Sequence, residues 1–382
     1  MDARGWVLLT DGTNGHNRST LAAVRALAKA GYRSAVTVSG RRSVASVSRF
    51  CDRIVLTPSA DDPDYASAIR AEAAARPYLT VLPASDAALQ ALDAPGRSFC
   101  HKAHLAVAAR KAGLETPPGR IFHDAGSLRA AAGALDYPLV VKPVIRTGSS
   151  HGPARRFDTA EHLRRAPDMP GPLLVQPVVS GGMHAVVGVM WRGELKAVVH
   201  QQHLRIWPPQ CGDACCAITT PPLPALEKGL QTMLTDYNGI FQAEFAGPSL
   251  VDLNPRVYGS LPLAVSAGAN LVGVYCDLVR GVDVTPLRGR VGVEYHWWGG
   301  DARHLGSRWW SRELTFAESV RRLGLRQALS RENVALSDPK PVLERSRHMS
   351  LTLAARLLGV ANPLALAGRA LNRPRHGRPA EE

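Results

Sequence analysis

Apolar positions along the first hundred residues recur in two different rhythms. Trp6 to Thr10 (WVLLT) is a short apolar run that predicts a strand. A polar, glycine-containing stretch follows, and then a helical spacing of apolar residues from Leu21 to Ala30. Gly31 closes that helix, because glycine enters the left-handed conformation of a helix C-terminus without a Cβ penalty. Apolar runs return at Ser34–Val38, Ile54–Leu56 and Leu79–Leu82. Strands alternating with helices predict a parallel, doubly wound sheet. Such sheets bind ligands at the carboxyl ends of their strands, where Ser85 and Asp86 fall. A helix N-cap is the simpler account of Asp86. Gly12 and Gly15 make only a weak phosphate-loop signal, and the dinucleotide fingerprint is absent.

Further along, Leu105, Val107, Ala108 and Ala109 lie on a helix closed by Gly113, with Pro117 and Pro118 at its exit. The run Leu139 to Val141 predicts a strand that delivers Lys142 to a Gly/Ser loop, Thr147 to Gly152. Another strand lies within Pro172–Gly182. A hairpin turns at Arg192-Gly193 and an irregular segment is expected after it. Phe241 to Ser260 then reads as two strands separated by a Gly-Pro turn. An apolar helical stretch interrupted by Gly268 follows.

The chemistry concentrates in that last pair of strands. Glu244 and Asp252 are carboxylates set among Phe241, Phe245, Leu250, Val251 and Leu253. Burying acids there is costly unless a cation compensates them. Hard oxygen ligands of this kind suit Mg²⁺, which keeps waters and phosphates in its other positions. Arg256 can hold an anionic group beside the metal with its planar donor fork. The alternative is a pair of half-buried strands with edge acids in salt bridges. Lys142, leaving an apolar strand, can neutralise phosphate oxygens, and backbone N–H groups of the loop can close over them. No Lys-Ser or Lys-Thr ends that loop, so it is not a Walker A motif.

The segment VDLNPRVYGSLPLA, preceded by YNGIFQAEF, resembles the Glu-x-Asn-Pro-Arg signature and first metal-acid strand of the ATP-grasp superfamily. YPLVVKP and its loop resemble that superfamily's nucleotide lysine strand, and RFCDRIVLTP with TVLPASDAAL resembles the domain preceding its carbamoyl-phosphate-synthetase branch. The resemblance spans about Trp6 to Asp283. It implies an α/β fold: a parallel-sheet domain over 1–100, an ATP-grasp body over 101–290 with a mobile lid at about 137–178, and a basic helical extension over 291–382. It implies two Mg²⁺ on Glu244, Asp252 and Asn254, with Mn²⁺ as a substitute. The same resemblance places ATP against Lys102, Lys142, Ser149, Ser150 and Gly152, with Gln176, Pro177 and Val178 reading adenine through the backbone. Arg256, Lys142 and Arg205 become catalytic residues. Asp252 stands where the family has Glu, Asp213 replaces a Gly after Arg205, and two hinge acids near Pro177 and Met183 are absent. The implied activity is ADP-forming ligation of a small carboxylate to an amine through an acyl-phosphate. A thiol or carboxylase-type acceptor stays open, as does a nucleotide-binding protein without turnover.

Composition narrows the class further. A chain of 382 residues with 45% hydrophobic and 20% charged residues has room for two or three domains and an ordinary soluble core. No apolar run would span a bilayer and the N-terminus lacks a signal-peptide pattern, so the expected location is cytoplasmic. The six cysteines show no disulfide-framework spacing. His200, His203, Cys211, Cys215 and Cys216 have soft-metal potential, but their spacing matches no standard zinc pattern. The net charge of +14 is uneven: from Ala302 onward 15 Lys+Arg face 7 Asp+Glu. A solvated arginine-rich surface accounts for this more simply than nucleic acid does. YHWWGGDARHLGSRWWSREL interleaves aromatic and basic residues, either to stack Arg on Trp or to meet a membrane or nucleic acid. MSLTLAARLLGVANPLALAGRALNRP is nearly apolar but contains Arg356 and Pro363. That stretch fits packing on the body, a homodimer contact or peripheral contact with an anionic membrane.

Overall fold

Four short strands and their crossover helices form the first layer. β1 (Trp6–Thr10) leads into α1 (Arg18–Lys29), whose first turn is capped by Asn17, its side-chain oxygen accepting from the Ser19 N–H at 2.9 Å. β2 (Arg33–Val38), β3 (Arg53–Leu56), α2 (Tyr65–Ala75), β4 (Tyr78–Pro83) and α3 (Asp86–Ala91) follow. The sheet order is β3-β2-β1-β4 and every pairing is parallel. Crossovers on both faces bury β1 and β2 almost completely, which is why they read as continuous apolar runs. The computed structural model describes residues 4–12, 15, 17–40, 42–146, 152–323 and 337–347.

α4 (Lys102–Lys111) leads into a small second sheet. β5 (Arg120–Phe122), α5 (Ala125–Ala130), β6 (Leu139–Pro143), β7 (Arg155–Phe157), α6 (Ala160–Arg164) and β8 (Leu173–Pro177) make it, in the order β5-β8-β6-β7. Leu128, Val141, Phe157 and Leu173 give it a core of its own. The edge strand β5 starts at residue 120, so the sheet recruits chain from well before the run that carries Lys142.

The third sheet is the largest. β9 (Met183–Trp191), β10 (Glu194–Trp207) and β11 (Asp213–Thr220) form a meander, and α7 (Pro224–Met233), β12 (Gly239–Ala246) and β13 (Ser249–Asn254) follow. Its order is β13-β12-β9-β10-β11 and then β15 (Glu294–His296), with the two-residue β14 (Leu287–Arg288) alongside β10. Arg192 and Gly193 both have positive φ, 51° and 79°, the geometry of a tight turn matched to strand twist. The segment after this hairpin is regular rather than irregular: β10 runs to Trp207 and β11 pairs back along it. Its polar run HQQH concealed the strand, because His200, Gln201 and His203 are all buried there and no polar/apolar alternation survives.

α8 (Leu261–Ser266) and α9 (Leu271–Val279) are separated at Gly268, whose φ is +96°. They pack with α1 against one face of the third sheet, joining Leu21, Val24 and Leu27 to Val187, Val199 and Val272. α4 and α7 cover the other face, Leu105 and Leu230 packing over Phe241, Phe245 and Leu253. α10 (Trp298–Trp310) and α11 (Phe316–Leu323) come after β15. Residues 337–347 return to the first layer, where buried Asp338 accepts from Arg25 Nε at 3.0 Å, Ser48 Oγ at 2.6 Å and the Arg49 N–H at 2.9 Å. The apolar stretch with Arg356 and Pro363 lies outside the described residues. Among those described, no helix is long and apolar enough to cross a membrane.

Candidate active site

The hairpin of β12 and β13 sets the geometry. Its register places Glu244 directly opposite Asp252, and Gln242 opposite Asn254. Alternation sends Phe241, Phe245 and Leu253 into the core beneath and the polar set to the other face. Two like charges facing each other across strands repel, and the protein resolves this unequally. Asp252 is ionised: burial opposes its charge, but Lys102 and Lys142 hold its carboxyl well below the usual carboxylate range. The Lys102 ammonium bonds Asp252 Oδ1, and the Leu253 N–H donates to the same carboxylate at 2.8 Å. Glu244 has no hydrogen-bond or ion-pair partner among the described residues. Burial first, and then the charge of Asp252, push its carboxyl up to about 8.

Cations surround this pair. Lys142 emerges from β6 and donates to the Val251 carbonyl at 2.7 Å, while burial lowers its ammonium to about 8 against the pull of Asp252. The Lys102 N–H donates to the Val144 carbonyl at 2.9 Å, which locks the start of α4 to the end of β6. Arg256 donates through Nε to Asp86 at 2.6 Å and through Nη2 to Asn254 Oδ1 at 2.9 Å. Burial opposes the Arg256 charge, and Asp86 more than compensates. Asp86 therefore does more than begin a helix: Ser85 is the N-cap of α3, accepting from the Ala88 N–H at 3.1 Å, and Asp86 is the counter-ion of Arg256.

These groups line one cleft of about 860 Å³ between the small sheet, the third sheet and the carboxyl ends of β1 and β4. Lys142, Glu244, Asp252, Asn254 and Arg256 all reach it, as do Gln176, Pro177 and Val178. Lys102 meets it through Asp252. At the end of β8, Pro177 has no N–H, the Val178 N–H is used by the Pro138 carbonyl at 3.2 Å, and Gln176 Nε2 donates to the Pro117 carbonyl at 3.2 Å. Ser149 and Ser150 lie outside the described residues. Gly152 ends that loop beside Pro153, which lines the cleft. Two arginines flanking the loop, Arg146 and Arg156, also line the cleft. Their setting, basic residues on either side of a Gly/Ser loop, is a usable signal that motif matching passes over.

Arg205 departs from the expected arrangement. Its Nη2 donates to Asp301 Oδ2 at 2.8 Å and its Nε to Oδ1, so the fork grips a wholly buried carboxylate on the first turn of α10. Neither residue lines the cleft. Desolvation would not tolerate an unpaired Asp301, and the guanidinium is the nearest compensation. His296 Nδ1 lies 3.1 Å from Asp301 Oδ2. The bond to Asp301, then that to Cys216, raises the imidazole to about 9.

The His/Cys set singled out along the chain does not converge. His200 bonds Glu227 at 2.9 Å. His203 has no hydrogen-bond partner among the described residues, and burial lowers it to about 4. Among the described residues, Cys216, His296 and Asp301 are the group whose donor atoms lie within 4.8 Å of one another. Arg205 occupies both oxygens of Asp301, so the arrangement is an ion-pair network. A folded His296 pKa above the ordinary 6.5 contributes stability that is complete below pH 6.5 and is lost as pH rises through 9. The melting temperature is therefore expected to fall across that window. A His296→Gln variant should show a flatter profile there, and identical slopes in parent and variant would refute the coupling.

No family model matches the chain, and no curated protein matches it. Solved structures do. The N5-carboxyaminoimidazole synthetase from Staphylococcus aureus complexed with ADP matches 76% of this chain and 81% of its own, at 11% identity and a TM-score of 0.57. An L-amino acid ligase from Bacillus licheniformis matches 73% and 75%, at 17% identity and 0.53. The biotin carboxylase domain dimer of the Hydrogenobacter thermophilus 2-oxoglutarate carboxylase, in complex with MgADP, matches 75% and 73%, at 16% identity and 0.54.

Proposed function

We propose that this chain, which has the ATP-grasp fold, is an ADP-forming ligase that activates a small carboxylate as an acyl-phosphate and joins it to an amine. The observation that carries the reading is the convergence of Glu244, Asp252, Asn254, Lys142 and Arg256 on one cleft beneath the small sheet. The structural neighbours, a ligase, a synthetase and a carboxylase with ADP in two of them, support it.

The residues fit a divalent ion. Glu244 is a desolvated carboxyl with no direct ion pair of its own among the described residues, and Asp252 and Asn254 add hard oxygens beside it. Glu244, Asp252 and Asn254 would hold Mg²⁺, in two positions, with Mn²⁺ able to replace it. The ion would neutralise charge on the nucleotide's phosphate oxygens. Lys142 and Lys102 add positive charge from the β6 and α4 side, and Arg146 and Arg156 extend it toward the loop. In the chemical step a substrate carboxylate oxygen attacks the γ-phosphorus, and the β,γ-bridging oxygen leaves with ADP. An amine nitrogen then attacks the acyl carbon and loses its proton, and the C–O bond to inorganic phosphate breaks. Arg256, fixed by Asp86, is placed to neutralise oxygen charge in both steps, a positioning role that needs no covalent help.

The test is ADP and phosphate release from Mg·ATP against pools of carboxylic acids and amines. ADP is expected only with an acid present, and phosphate release should rise when the matching amine is added. A protein that binds Mg·ATP in a thermal shift, yet forms ADP with none of the acid pools, would be a nucleotide-binding protein without turnover.

A further inference from the structure

The cleft has a second charged wall that the nucleotide-facing residues do not explain. It lies where β1 and β4 end side by side. The chain leaves β1 toward β2 on one side, while β4 flanks β1 on the other, so the connections diverge and open a crevice. Arg18, the first residue of α1, stands at this crevice and lines the cleft.

Arg18 is only 8% exposed and is held from several directions. Its guanidinium carbon sits 3.6 Å from the centre of the Trp297 ring, and Nη1 lies 3.4 Å from the Tyr295 hydroxyl. Gly259 backs it so closely that an added Cβ would meet Nη2 at 3.1 Å. The remaining contact is different in kind. Nη2 donates at 2.7 Å to Asp213 Oδ2, whose side chain is 76% exposed and has no other partner among the described residues. A buried arginine needs an anion, but pairing costs or gains an exposed aspartate little. Exchange of Asp213 for another carboxylate is therefore nearly balanced at Arg18. Beside Gly259, Tyr258 also lines the cleft, wholly buried, and its hydroxyl has no hydrogen-bond partner among the described residues. Buried phenols are seldom left so unless a ligand or water completes them.

We propose that Arg18 is the anchor for a carboxylate group of the small-molecule substrate, and that Asp213 is the placeholder occupying that position until the substrate arrives. The Trp297 stack and the Gly259 backing fix the planar fork, whose geometry matches a carboxylate. One negative charge replaces one negative charge. A phosphate dianion would instead add charge near Glu244, whose carboxyl already feels the charge of Asp213. The role as a substrate anchor rests on the ligase activity proposed above, whereas the anion site stands on Arg18 and its neighbours alone.

The test titrates the full-length protein with acetate and, separately, inorganic phosphate at constant ionic strength, reading tryptophan fluorescence next to the Trp297 stack. Asp213→Asn, a change at the rim that leaves Arg18 in place, should tighten the acetate response roughly 10-fold by removing the competitor. Arg18→Lys, which keeps the charge and loses the fork, should weaken it by roughly 10- to 100-fold. With Mg·ATP and a stimulating acid, Arg18→Lys should raise KM for the acid by a similar factor and leave KM for ATP unchanged. An acetate response that is the same in parent, Asp213→Asn and Arg18→Lys overturns the proposal, and tighter phosphate than acetate overturns the carboxylate assignment. If the parent turns over nothing, the ligase reading fails, and the titration still decides the anchor.

Discussion

Glu244→Gln is expected to remove Mg²⁺-dependent ADP formation, by roughly 10³-fold, while leaving the metal-free protein at least as stable as the parent at pH 7. The two halves of this expectation have one cause. A carboxyl pushed up to about 8 is mostly protonated at pH 7, so glutamine reproduces its neutral, hydrogen-bonding form in the same volume. An acid whose folded pKa is raised destabilises the fold as pH climbs from its ordinary value of about 4.5 through 8, since ionisation is then easier in the unfolded chain. The variant should therefore gain on the parent over that window, and most of all near pH 8. Metal binding reverses the preference, because the ligand must be deprotonated. Mg²⁺ affinity in the parent should rise by about tenfold per pH unit up to pH 8 and level off above it, with proton release measurable by calorimetry in buffers of different ionisation enthalpy. A variant that binds Mg·ATP and forms ADP like the parent would remove Glu244 from the proposed site.

The features legible from the chain were those fixed by neighbours in sequence. The first layer showed itself because β1 and β2 are buried on both faces and read as unbroken apolar runs. The Gly247-Pro248 turn brings Ala246 opposite Ser249, which leaves Glu244 opposite Asp252 through a single register shift. Two acids in apolar alternation therefore signalled one face and one neighbourhood. Lys142 was visible for the same reason, at the end of a strand that could not otherwise use an ammonium. Partner choice was not legible. Arg256 and Asp86 are separated by 170 positions, and Arg205 and Asp301 by 96. Nothing local tells an arginine which buried acid will claim it. Arg18 was hidden for a further reason: its stacking partner, Trp297, belongs to an aromatic–basic stretch at the other end of the chain. That stretch proves to hold an arginine on a tryptophan, but the arginine comes from the first layer.

The second large effect concerns that long-range pairing. Asp301→Ala is expected to destabilise the protein by roughly 3–5 kcal/mol, because it strands two cations in a site built around one acid. Asp301 is wholly buried and its oxygens serve Arg205 twice and His296 once. Without it, the guanidinium keeps only a carbonyl contact to Arg322 at 3.4 Å among the described residues. The cost should fall on α10, which carries Asp301 and covers the β10–β11 edge, so amide exchange in that helix should accelerate before the rest of the third sheet opens. Replacing both partners, Arg205→Met with Asp301→Leu, should recover most of the loss, since an apolar pair needs no compensation. The same variants separate the two roles open to Arg205. A structural arginine predicts that Arg205→Met lowers the melting temperature, while turnover by the folded fraction stays within a few-fold of the parent. An arginine at the phosphoryl site predicts the reverse: turnover slowed by roughly two orders of magnitude or more, with the melting temperature unmoved. The grip on Asp301, away from the cleft lining, favours the first outcome, and slowed turnover without a stability loss would refute it.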